Sequence, residues 1–113
     1  MKEKIKYQFN PQEQDIILRS LNLLHNYLKA QDHLTDAVDE IISKLNDGRV
    51  HFDKYELGIV INALNNYRYK LKNMNEPRTE VNDILLKMIE DTENMDSKKK
   101  HLLRMLVPGN ARR

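Results

Sequence analysis

Between Ile5 and Phe9 apolar and polar residues alternate, with Ile5, Tyr7 and Phe9 separated by Lys6 and Gln8. That period of two predicts a short strand with one buried face. The period then changes. Ile16, Ile17, Ser20, Leu21, Leu23, Leu24, Tyr27 and Leu28 recur at helical spacing and predict an amphipathic helix ending near Ala30. A second helix is expected from Asp36, with Leu34, Val38, Ile41, Ile42 and Leu45 as its apolar stripe. Asp47-Gly48 reads as the turn that ends it.

The same order then recurs. Arg49–Phe52 predicts a strand with Val50 and Phe52 inward. Ile59, Val60, Ala63, Leu64, Tyr67 and Leu71 predict a helix ending near Asn73, and Val81, Ile84, Leu85, Met88 and Ile89 mark another beginning at Thr79. The connector Gln31–Thr35 corresponds to Met74–Arg78, where Pro77 cannot continue a helix. Shifting the sequence by 43 residues lays Phe9–Asp47 over Phe52–Glu90 without a gap. Ten of the 39 pairs are identical: Phe9/Phe52, Glu13/Glu56, Ile16/Ile59, Leu21/Leu64, Asn22/Asn65, Leu28/Leu71, Lys29/Lys72, Val38/Val81, Ile41/Ile84 and Lys44/Lys87. Unrelated stretches of this composition would share roughly two or three.

The first long helix of each half has a matching start. Asn10 is a good N-cap, Pro11 suits the first helical position and Glu13 falls third, while Asp53 and Glu56 occupy the equivalent places. A cap residue followed by Glu three positions later is the capping-box pattern, which gives Glu13 and Glu56 a structural reason to be identical. A lone edge strand leaves backbone groups unpaired, so the two strands are expected to pair antiparallel with each other. After Glu90 the repetition stops. Asp91–Asp96 reads as an acidic polar connector, Ser97–Val107 as a further helix, Pro108-Gly109 as its stop and Asn110–Arg113 as a disordered end.

The expected fold is therefore mainly α. Tandem duplicated strand–helix–helix units, residues 5–47 and 48–90, form a pseudo-two-fold four-helix bundle with a short two-stranded antiparallel β-ribbon and a C-terminal fifth helix. The whole is a single domain, 1–113, with 91–113 as its tail.

Composition narrows the function. The chain has no cysteine, so disulfides and thiolate metal sites are excluded. No apolar run approaches the ~18 residues of a membrane span. The charged start, Met1–Lys6, leads into no signal-peptide core, and the expectation is a cytoplasmic protein with no membrane partner. The Lys-, Asn- and Ile-rich composition suits an AT-rich bacterial genome. Residues 1–95 carry 13 basic and 16 acidic side chains, a net of −3, whereas residues 96–113 carry six basic and one acidic, a net of +5. Attraction to polyanions would therefore reside in the tail.

Candidate chemistry is sparse. His25, His33, His51 and His101 are never three or four residues apart, so no helical His pair for a metal exists. His33 near Asp36 reads as a loop histidine beside a helix start. No glycine-rich phosphate loop can be drawn from Gly48, Gly58 and Gly109, nor a serine–histidine arrangement from Ser20, Ser43 and Ser97. Asp36, Asp39, Glu40, Glu80 and Asp83 lie opposite the apolar stripes and read as a solvated face. The expectation is no enzyme, no catalytic or metal residues and no cofactor.

One stripe has no packing explanation. Leu18, Asn22, His25 and Lys29 follow one another at 4, 3 and 4 residues, away from the main apolar face, and correspond to Ile61, Asn65, Arg68 and Lys72. They read as a duplicated protein-docking ridge with an aliphatic anchor and polar flanks. The function so predicted is a small non-catalytic bacterial regulatory or accessory protein, monomeric or homodimeric, that binds another protein. The alternative is a nucleic-acid-binding regulator using Lys98, Lys99, Lys100 and Arg104 on phosphates, marked by an affinity that falls steeply with salt. That tail has no aromatic residue to stack on bases, and Leu102, Leu103 and Leu106 could instead pack it against the bundle.

Overall fold

The computed structural model of the chain describes residues 3–45 and 49–106, with side chains described as far as Met95. Two strands and four helices follow in the order β1 (Lys4–Gln8), α1 (Pro11–Ala30), α2 (Asp36–Lys44), β2 (Arg49–Asp53), α3 (Lys54–Asn73) and α4 (Thr79–Leu106). The fold is mainly helical with one small sheet.

Both long helices begin as their sequences require. The Asn10 side chain accepts from the Glu13 amide at 2.8 Å and the Glu13 carboxylate accepts from the Asn10 amide at 3.0 Å. Asp53 and Glu56 make the same pair of bonds at 2.8 and 3.0 Å. Both ends also match. Asp32 and Asn75 take left-handed backbone with φ of 63° and 61°. The next amides, of His33 and Glu76, reach back to the carbonyls of Leu28 and Leu71 at 2.8 Å. This is a Schellman end, and Asp or Asn tolerates its left-handed residue better than most side chains. α3 is thus closed two residues before Pro77.

β1 and β2 pair antiparallel as expected, with Tyr7 opposite Val50 and Ile5 opposite Phe52. Tyr7, Val50 and Phe52 point inward and are buried. They cap a single core built from Ile17, Leu21 and Leu24 of α1, Val38 and Ile41 of α2, Leu57, Val60 and Leu64 of α3, and Val81, Leu85 and Met88 of α4. α1 packs chiefly against α3 and α3 against α4. Ser20 and Ala63 are fully buried, and their small side chains permit close approach of the helices that carry them. Ser20 satisfies its hydroxyl on the Ile16 carbonyl at 2.7 Å.

The structure corrects the expected C-terminal region. Among the described residues there is no fifth helix, because α4 runs unbroken from Thr79 to Leu106 through Asp91–Asp96. Asp91–Asp96 contains no Gly or Pro to stop a helix. Two of its residues are engaged: Asp91 accepts from Tyr7 and Thr92 donates to the Met88 carbonyl. Met95, two turns beyond Met88, is buried and extends the apolar column. The expected disordered end, Asn110–Arg113, and the Asp47-Gly48 turn lie outside the described residues.

Three apolar side chains assigned inward face solvent. Leu34 precedes the helix start Thr35 and is 84% exposed. Tyr27 and Ile89 sit on the edges of their stripes and are also exposed. Helical spacing was extended past a cap in the first case and too far round the helix in the others.

Candidate docking surface

The ridge residues occupy one flank of α1 and one of α3. Leu18 and Ile61 are partly buried and pack against the core, so the aliphatic anchors are not free knobs. Asn22 and Lys29 on α1, and Asn65, Arg68 and Lys72 on α3, are exposed. None of these five side chains makes a hydrogen bond or ion pair with another described residue. His25 differs from the other ridge residues. It is half-buried, and its Nδ1 lies 2.9 Å from Asp39 Oδ1 without forming a hydrogen bond. Asp39 also accepts from the Thr35 hydroxyl at 2.9 Å, so the contact ties α1 to the first turn of α2.

Lys98, Lys99, Lys100 and Arg104 fall on the last turns of α4, and their side chains lie outside the described set. His33 is exposed in its connector and makes no ion pair with Asp36. No group of three or more His, Cys, Asp or Glu among the described residues could hold a metal ion.

Periodicity did not reveal one depression on the surface. A groove of about 560 Å³ runs between β1, the start of α1 and α4. Ile5, Lys6, Tyr7, Gln8 and Phe9 all line it, although successive side chains of a strand point to opposite faces. The groove therefore follows the edge of β1 rather than one of its faces. On the other side stand Glu80, Asp83, Lys87 and Asp91 of α4, with Gln12 bonded to Glu80 across one end.

At the other end the buried Tyr7 donates its hydroxyl to Asp91 Oδ2 at 2.6 Å. Burial first, and then the hydrogen bond and charge of Asp91, push the phenol well above its ordinary value. The folded state holds this proton more tightly than the unfolded chain. Its stabilising contribution is therefore complete below the ordinary phenol value of about 10 and is lost as pH rises beyond it. Tyr7→Phe is expected to lower stability by about 1 kcal/mol at neutral pH, because half-buried Asp91 loses its donor. The variant should also decline less steeply above pH ~10. Urea titrations of both proteins across alkaline pH test this, and parallel curves would refute it.

The corresponding residues beside β2 form a bridge. Lys44 reaches from α2 to the Glu56 carboxylate and donates to the His51 carbonyl at 3.2 Å. Gln14 adds a bond from α1 to the Leu45 carbonyl.

No family model, curated protein or solved structure matches this chain. No described helix is long and apolar enough to cross a membrane.

Proposed function

We propose that the protein is a non-catalytic interaction module, a small regulatory or accessory factor that holds another protein against the exposed flanks of α1 and α3. One observation carries this reading. Asn22/Asn65 and Lys29/Lys72 are identical pairs at the same spacing, exposed and with side chains that have no partner among the described residues. Neither fold nor solubility requires that identity, whereas a partner gripping both helices would.

The reading includes an organisation of the chain as two copies of one unit, 5–47 and 48–90, about an approximate dyad within a single domain, with 91–113 following. The matched capping boxes and the left-handed residues Asp32 and Asn75 support it. So does the strand register, in which Tyr7 lies opposite Val50, its own counterpart 43 positions on. A dyad requires such a self-paired position at its centre.

Because Leu18 and Ile61 pack on the core, charging them would confuse unfolding with lost binding. The test uses the exposed residues instead. Asn22→Ala, Lys29→Ala, Asn65→Ala and Lys72→Ala combined should leave stability nearly unchanged, each within about 0.5 kcal/mol. They should weaken capture of the partner from a lysate of the source cell by about tenfold or more. Capture of the same proteins in the same yield would reject the ridge.

A further inference from the structure

We propose that the groove beside β1 is a docking site for an extended, cationic segment of a partner protein, which adds as a third strand to the free edge of β1. It is a surface distinct from the ridge and stands or falls separately.

Three observations converge. The first is the edge itself. β1 pairs only with β2 among the described residues. In an antiparallel pair alternate residues turn their amide and carbonyl away from the partner strand, so every second residue of β1 offers both groups to the groove. Strand addition recruits such an edge, with main-chain bonds giving affinity and side-chain contacts giving selectivity.

The second is charge. Glu13, Glu80, Asp83 and Asp91 line the groove against Lys6 and Lys87, an excess of two acidic groups. Asp83 is exposed and engages no other described residue.

The third is the bridged counterpart beside β2. There the Lys44 ammonium sits between the capping carboxylate of Glu56 and the His51 carbonyl, filling the place with a primary amine. The identical residue types recur 43 positions away as Lys87 and Glu13. Lys87 makes no such bridge among the described residues, and the space stays open. The molecule thus displays, in one half, the chemistry that fits the other: a lysine or arginine side chain laid along a strand edge onto a helix-capping glutamate.

The probe is a synthetic peptide of alternating valine and lysine, titrated into the full-length labelled protein and followed by amide chemical shifts. Saturable shifts are expected along Lys4–Gln8 and Glu80–Asp91. Two further peptides carry N-methyl groups on alternate amides, one set in each register. One register should abolish binding and the other retain it, because only one set of amides faces β1. Asp83→Lys should weaken binding roughly three- to tenfold, and the glutamate-for-lysine peptide should not bind. Absence of shifts at millimolar peptide overturns the proposal. So does equal binding by both methylated peptides, or binding indifferent to Asp83→Lys. Shifts confined to Asn22, Lys29, Asn65 and Lys72 would place the peptide on the ridge, rejecting the groove and leaving the ridge reading intact.

Discussion

Phe52→Ala is expected to remove about 3–5 kcal/mol of stability, the largest effect of any single truncation considered. Phe52 is fully buried on β2. Its ring centroid lies 5.8 Å from Tyr7 and 6.5 Å from Phe9, both tilted, while Tyr7 and Phe9 stack at 5.2 Å. The truncation leaves a cavity where the sheet meets the helices, and both neighbouring rings lose a partner. Against a total of about 5–15 kcal/mol for a domain, such a loss leaves little reserve. Chemical denaturation should show a greatly lowered midpoint. Tyr55, three positions on and 69% exposed, supplies the control, since Tyr55→Ala should change stability by no more than about 0.5 kcal/mol. A Phe52→Ala cost below about 1 kcal/mol would mean that the aromatic cluster does not anchor the sheet.

Glu93→Pro is the second large effect. Glu93 is exposed in the middle of α4, so the substitution removes no buried contact of its own. A proline inside a helix loses one backbone bond and clashes with the preceding turn, at a cost of about 3 kcal/mol or more. The kink would also displace Met95 from the core. A melting temperature lower by more than about 10 °C is expected, together with reduced helical circular dichroism. Were residues 91–96 a connector instead, proline would be tolerated there and both signals would stay near wild type.

That contrast marks where the sequence could be read and where it could not. The strands and both capping boxes follow from local signals, the alternation from Ile5 to Phe9 and a cap followed by Glu at the right distance, and the antiparallel pairing follows from the need to satisfy two lone edges. The ends of α1 and α3 were legible in place but not in mechanism, since a left-handed Asp32 or Asn75 leaves no strong mark in the sequence. Asp91–Asp96 is polar, and polarity alone does not break a helix that has no Gly or Pro. Only Met95 signals continuity there, two turns after Met88, and Tyr7 as the partner of Asp91 lies 84 residues away. The groove was invisible for the same reason. Alternation located β1 and spacing located α4, but neither says that the edge of one faces the flank of the other. His25 shows the limit for single side chains, as its draw to Asp39 depends on how α1 and α2 cross.

The Tyr7–Asp91 bond spans 84 residues, and this has a consequence for how the chain matures. At translation rates of ~5–20 residues per second, the first strand leaves the ribosome on the order of ten seconds before its last partner is made. β2 is made about halfway through that interval, whereas the stretch of α4 that holds Asp91 is made only at its end. β1 thus reaches its native surroundings only after α4 is made, and the nascent chain must keep its inward face from mispairing until then.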